Sequence, residues 1–135
     1  MAGYSGTPLA KKLGIQAGAF VRAVDAPDDY AQLLEPLPAN VTFVEPGADE
    51  LDMVHLFTKS RSKLVKYLDE YKKKIKQNGS IWVSWPKRSS GIPSEVTEDT
   101  IREVALPLGL VDVKVCAVDD TWSGLKLVIR KENRV

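Results

Sequence analysis

Gly79-Ser80-Ile81-Trp82-Val83-Ser84-Trp85-Pro86-Lys87-Arg88-Ser89-Ser90-Gly91-Ile92-Pro93-Ser94 is the stretch on which the reading of this chain turns. Residues 80–85 form a short apolar and β-branched run launched by Asn78-Gly79, the signature of a buried strand. The run then breaks into a polar, cationic loop at residues 86–91. A buried strand that ends in a charged loop is the arrangement by which open α/β sheets present ligand-binding residues.

Working outward, the flanking segments supply partners for such a strand. Upstream, residues 58–77 predict the longest helix. Leu64, Leu68, Tyr71 and Ile75 recur at spacings of four, three and four residues, one stripe at helical period, with Asn78-Gly79 as the C-cap. Before it, residues 51–57 (LDMVHLF) predict a strand that is apolar on both faces. Further upstream come a strand at 41–44, a helix at 28–35 with Tyr30, Leu33 and Leu34 on its apolar face, and a strand at 19–25. A first helix spans 7–14, with Thr7 as N-cap, Pro8 as first helical residue and Gly14 as its stop. Downstream, Thr97 caps a helix whose first turn carries Glu98 and Asp99, with Val96 stapled to Ile101 and Pro107-Leu108-Gly109 closing it. Strands at 110–118 and 122–131 follow, joined by a turn at 119–121 short enough to make them antiparallel.

Strands alternating with helices imply right-handed crossovers and a mostly parallel sheet. The expectation is one α/β domain over residues 1–135, a three-layer sandwich with a C-terminal antiparallel hairpin. At 135 residues the chain suits one core. A net charge of +1 argues neither for nor against nucleic acid. One cysteine permits no internal disulfide and fits a reducing, cytoplasmic setting. The start, Met1-Ala2-Gly3-Tyr4-Ser5, lacks the basic and apolar regions of a secretory signal, and no apolar run is long enough to span a bilayer.

The order of elements resembles the Rossmann-like fold of class I S-adenosylmethionine-dependent methyltransferases, in a shortened form. Residues 13–21 (LGIQAGAFV) are similar to the lead-in to the first methyltransferase strand, residues 51–57 to the fourth, and residues 78–84 to the junction into the fifth. Residues 110–131 are similar to the terminal hairpin. The resemblance implies a sheet of strand order 2-1-3-4-6-5, with the sixth strand antiparallel. The chain is also similar, nearly end to end, to small bacterial proteins grouped as a domain of unknown function. The shared phrases stand here at residues 4–15, 82–87, 102–112 and 121–125, with Val54-His55-Leu56-Phe57 for a fifth. That family has no assigned activity to carry over.

The departure from methyltransferases is specific. A glycine-rich turn after the first strand lets the backbone approach the cofactor. Here the turn is Val24-Asp25-Ala26-Pro27-Asp28-Asp29. It has no glycine, Pro27 removes an amide donor, and the aspartates put negative charge where a ligand anion would sit. Between Val44 and Leu51 there is little room for a further strand and helix. Only Glu45, followed at once by Pro46-Gly47, could be the acidic residue expected after the second strand. A degenerate cofactor site follows, and no cofactor is expected.

The carboxyl edge of the sheet should gather Asp25, Thr58, Lys59, Trp85, Lys87, Arg88, Ser89, Ser90, Asp119, Asp120 and Trp122. Lys87, Arg88, Ser89 and Ser90 suit a phosphate or carboxylate, although they lack P-loop spacing and would ordinarily be a solvated loop. Trp85 and Trp122 could wall a planar ligand or a partner side chain, or simply pack the rim of the core. Asp119 and Asp120 could hold a cation or a substrate hydroxyl, though paired aspartates in a tight turn are usually turn chemistry. His55, mid-strand in an apolar run, reads as a hydrogen-bonded core residue, Trp82 as core, and Cys116 as a small core residue. One histidine and one cysteine build no zinc site of standard composition.

Lys59, Arg61, Lys63, Lys66, Lys72, Lys73, Lys74 and Lys76 make the long helix basic, which could be a surface for nucleic acid or anionic lipid and is ordinarily a solvated face. No nucleic-acid motif accompanies them, which argues against that partner. The function expected is a non-catalytic binding or interaction module. Its partner is an unidentified protein or a small anionic ligand, with a homodimer through an open sheet edge as a further option. The alternative is an enzyme binding S-adenosylmethionine, a nucleotide or a phosphorylated small molecule at the carboxyl edge.

Overall fold

The computed structural model describes residues 7–135. The chain start at Met1-Ala2-Gly3-Tyr4-Ser5, and the first three positions of the phrase at 4–15, lie outside the described residues. Six strands form one sheet in the order β2-β1-β3-β4-β6-β5. They are β1 (Phe20–Val24), β2 (Thr42–Phe43), β3 (Leu51–Phe57), β4 (Ile75–Pro86), β5 (Leu110–Ala117) and β6 (Trp122–Ile129). β2, β1, β3 and β4 are parallel, and β6 runs antiparallel to both β4 and β5. This is the order that the methyltransferase resemblance implied, with β2 at one edge and, among the described residues, no strand beyond it.

Helices cover both faces, as two-sided apolar strands require. α3 (Arg61–Tyr71) and α4 (Glu98–Ala105) pack Leu64, Leu68, Tyr71, Ile101, Val104 and Ala105 onto Val54, Leu56, Ile81, Val83, Leu125 and Leu127. α1 (Leu9–Leu13) and α2 (Tyr30–Leu34) pack Leu9, Ala10, Leu13, Tyr30 and Leu34 onto Val21, Met53, Phe57 and Trp82. Trp82, fully buried at the centre, donates its indole N–H to the carbonyl of Leu13 at 2.9 Å and so fixes α1 to the sheet. No helix among the described residues is long and apolar enough to cross a membrane.

Local signals explain most boundaries. Thr97 caps α4: its hydroxyl accepts the N–H of Thr100, and the Thr100 hydroxyl accepts that of Thr97. At α1 the cap sits one residue later than expected. Pro8, extended, holds the cap position, and its carbonyl receives the N–H groups of Lys11 and Lys12. Gly14 ends that helix in the left-handed region, as predicted.

The largest correction concerns residues 58–79. The helix starts only at Arg61, because the Ser60 hydroxyl accepts the N–H of Lys63 and takes the cap. It ends at Tyr71, and Ile75 already belongs to β4. The amide of Leu51 bonds to the carbonyl of Lys74, drawing the chain into the sheet beside β3. Ile75 nevertheless packs in the same cluster as Leu64, Leu68 and Tyr71, so one apolar stripe spans two kinds of element. Asn78-Gly79 is therefore not a helix cap. A side chain at Gly79 would stand 2.9 Å from the carbonyl oxygen of Leu51 and 3.1 Å from that of Asp52, so glycine is there for close backbone approach. The basic stripe is broken too. Arg61, Lys63 and Lys66 lie on α3, whereas Lys73 and Lys74 sit in the turn and Lys76 on β4.

Candidate functional site at the carboxyl edge

β1 ends at Val24, and the next residue, Asp25, has a φ of 55° that puts a non-glycine residue in the left-handed region. Aspartate tolerates that conformation better than most residues. Its Oδ2 accepts a 2.7 Å hydrogen bond from the hydroxyl of Tyr67 on α3. That bond, before burial, is what pushes the Tyr67 phenol up to about 12. The chain then passes through Ala26 and Pro27 into α2, so the turn offers no glycine and one amide fewer.

Beside it, β3 ends at Phe57 and Thr58. The Thr58 hydroxyl receives the N–H of Ser60 and bonds back to its carbonyl, forming the small turn that launches α3. Lys59 is exposed there. Phe57 meets Trp122 edge-on, with ring centroids 5.2 Å apart. Asp25, Phe57, Thr58, Lys59, Ser60, Lys63 and Trp122 together line a cleft of about 220 Å³. It offers one carboxylate, two ammonium groups and an aromatic wall.

The cationic loop stands next to this cleft. Lys87 donates its amide to the carbonyl of Thr121 at 2.7 Å, locking the loop to the hairpin turn. Arg88–Ser90 form one 3-10 turn, closed by Gly91 at φ 76°. The Ser90 hydroxyl is spent on the carbonyl of Lys87 and the amide of Ile92. Arg88 and Ser89 are exposed and Lys87 is half-buried. Asp119 uses Oδ1 to accept the amides of Thr121 and Trp122, at 2.8 and 2.7 Å, which is turn chemistry. Asp120 is exposed.

Of the residues read from the sequence, the cleft joins Asp25, Thr58, Lys59 and Trp122, and the loop and turn hold the others beside it. Trp85 and Trp122 do not form one wall. Trp85 pairs with Ser123 and Pro86 with Trp122, so the two indoles point to opposite faces of the sheet. Trp85 is buried under α3 and α4, and Trp122 packs with the α1 and α2 layer. Ser60 carries no site signal in the sequence and Lys63 reads only as part of the basic helix face, because a helix begun at Thr58 hides their place at its cap.

Beneath the cleft lies a buried polar line. The Tyr30 hydroxyl and His55 Nδ1 are 2.8 Å apart, and His55 Nε2 and the Ser84 hydroxyl 2.7 Å apart. Burial holds the imidazole near 3 and the Tyr30 phenol well above its usual range, so both are neutral at pH 7. His55 also stacks on Phe57, centroid to centroid 4.3 Å. This is the core histidine that its strand position predicts. Cys116 is half-buried, and burial raises its thiol. Among the described residues no group of three or more His, Cys, Asp or Glu could hold a metal ion.

Comparison with solved structures agrees with this architecture. A SAM dependent methyltransferase from Aquifex aeolicus matches at a TM-score of 0.64 and 15% identity, over 90% of this chain and 87% of that one. A putative type 11 methyltransferase from Sulfolobus solfataricus matches at 0.65 and 14%, over 93% and 91%. Aeropyrum pernix fibrillarin, solved with natively bound S-adenosyl-L-methionine, matches at 0.58 and 12%, over 93% and 70%. At such identities the likeness is one of fold, a methyltransferase-like Rossmann sheet. No curated protein matches the chain. Residues 10–131 match the family described as Protein of unknown function (DUF3052), and the chain belongs to that family.

Proposed function

We propose that this DUF3052 protein is a non-catalytic binding module that keeps the methyltransferase-like sheet and has given up the cofactor cradle. The observation that carries this reading is the turn after β1. There Asp25 occupies the left-handed position, Pro27 offers no amide, and the Asp25 carboxylate is clamped by Tyr67. An adenosyl cofactor needs backbone amides and close approach at such a turn. This one presents a carboxylate instead.

The contact surface in this reading is the carboxyl edge. The Lys87 amide ties the loop to the 119–122 turn, so Lys87, Arg88, Ser89 and Asp120 are displayed on a rigid support. That surface suits a partner's acidic segment or a small anion. The setting we assign is cytoplasmic, supported by a lone cysteine and hence no internal disulfide.

The test is a thermal-shift titration with S-adenosylmethionine and its demethylated product. A ligand at a hundred times its dissociation constant adds about 2.7 kcal/mol, a visible rise in Tm. The expected result is no shift. A saturable rise that Asp25→Ala removes overturns the proposal and favours an adenosyl-binding enzyme.

A further inference from the structure

The opposite, amino edge of the sheet holds a larger cleft, of about 550 Å³, lined by Gln16, Asp52, Lys76, Asn78, Ser80 and Lys126 among others. Its origin is in the chain. α1 has five residues and so covers about 7.5 Å of the sheet. Gly14 and Gly18, both with φ near +80°, then turn the chain away toward β1. The amino half of β4 and the carboxyl half of β6 are left uncovered on this face. β4 also detours here. Between the pairs Leu51↔Ile75 and Met53↔Ser80 it spends five residue steps to two on β3, which throws Lys76 and Asn78 onto the rim.

The polar groups in this cleft are unequally committed. Asp52 is spent: Oδ1 pairs with the Lys76 ammonium at 3.0 Å, and Oδ2 accepts the amide of Phe20 at 2.8 Å. Lys126 is not. It sits half-buried on β6, in register with Trp82, and makes no hydrogen bond or ion pair among the described residues. At the end of α1 the Leu13 carbonyl accepts the Trp82 indole N–H and the Lys12 carbonyl accepts the Lys114 ammonium. The side chains of Gln16, Asn78 and Ser80 likewise make no hydrogen bond among the described residues. The result is one ammonium, two amides and a hydroxyl facing a polar cleft whose single carboxylate is already neutralised.

The Lys126 ammonium is solvent-accessible and bound to no carboxylate, so an incoming anion displaces only water to pair with it. We infer that the amino-edge cleft binds a small organic oxyanion, a carboxylate or a phosphate monoester with further hydroxyl or amide groups, and that Lys126 is its charge partner. Gln16, Asn78 and Ser80 hydrogen-bond the remainder. This site is independent of the carboxyl-edge reading and stands if that reading falls.

The test is an amide-resolved NMR titration of the whole chain with inorganic phosphate, glycerol 3-phosphate and succinate in turn. Saturable shifts at Gly14, Gly18 and Asn78 are expected. The stronger of the phosphate and carboxylate arms identifies the oxyanion. Lys126→Met should weaken binding about tenfold or more, the loss of one charge-assisted hydrogen bond. Lys131→Met, at an exposed position off the cleft, should leave it unchanged. If Lys126→Met does not fold, Lys126→Gln, which keeps a donor and removes the charge, should show the same loss. No saturable shift with any of the three probes, shifts confined to the carboxyl edge, or undiminished binding in a folded Lys126 variant each overturns the inference.

Discussion

The phenol of Tyr67, on α3, donates a 2.7 Å hydrogen bond to Oδ2 of Asp25, the residue at which β1 leaves the sheet. The bond spans 42 residues of sequence and closes over the turn that would hold a cofactor in a methyltransferase. It holds Tyr67 in its neutral form, with the phenol at about 12. Removing the acceptor charge with Asp25→Asn should return that phenol toward the ordinary value near 10. A carbon-resolved NMR titration of the tyrosines reads this directly. An unmoved Tyr67 titration in the variant would show that the hydrogen bond is not the cause.

Trp82 is fully buried and its indole N–H is bonded to the carbonyl of Leu13. Trp82→Phe removes that bond and leaves unfilled volume between α1 and the sheet. The expected loss is about 2–4 kcal/mol in a urea titration. Trp85→Phe, at the rim of the core, should cost less. Equal losses would mean that the hydrogen bond to α1 contributes nothing.

Gly79 and Gly47 form a matched contrast. An added methyl at Gly79 meets the carbonyls of Leu51 and Asp52, and backbone does not yield as a side chain does. At Gly47 it meets nothing within 4 Å, and only the positive φ resists. Gly79→Ala should therefore cost about 1–3 kcal/mol by overpacking. Gly47→Ala should stay near 1 kcal/mol. Denaturation midpoints with unchanged m-values check the order.

His55 makes stability fall with acid. Burial lowers its folded value to about 3, from an ordinary 6.5. Above pH 6.5 neither state binds the proton, and the neutral ring is free to bridge Tyr30 and Ser84. As pH drops below 6.5 the unfolded chain takes up the proton and the folded chain does not, so stability is lost down to about pH 3. The slope from this one group approaches about 1.4 kcal/mol per pH unit. His55→Gln should be less stable at pH 7 and show a flatter decline between pH 6 and 4. Parallel slopes in the two proteins would exclude the histidine as the source.

The strands and helices were legible because apolar runs, helical stripes and turn residues are local signals, whereas the order of strands in the sheet came only from the methyltransferase resemblance. Residues 51–57 became β3 with no change of boundary. What escaped depends on partners distant in sequence. Ile75 continues the stripe of Leu64, Leu68 and Tyr71, and nothing local says that the helix has ended and a strand begun. Gly79 looks like a cap until the Leu51 carbonyl is seen against it. Trp85 and Trp122 seemed to share a wall because both flank the hairpin end. Their faces are set by a register one residue apart, and a one-residue step reverses a side chain. Asp119 and Ser90, whose ordinary use is local, went to turn bonds, so local chemistry was the better guide for them.

The bond between Trp82 and Leu13 spans 69 residues, and that from Lys114 to Lys12 spans 102. Chain synthesis delivers α1 first, yet both its anchors arrive much later. A five-residue helix does not persist alone in water. α1 is therefore held by partners that follow it in the chain, and it cannot take its place until β4 is there to receive it.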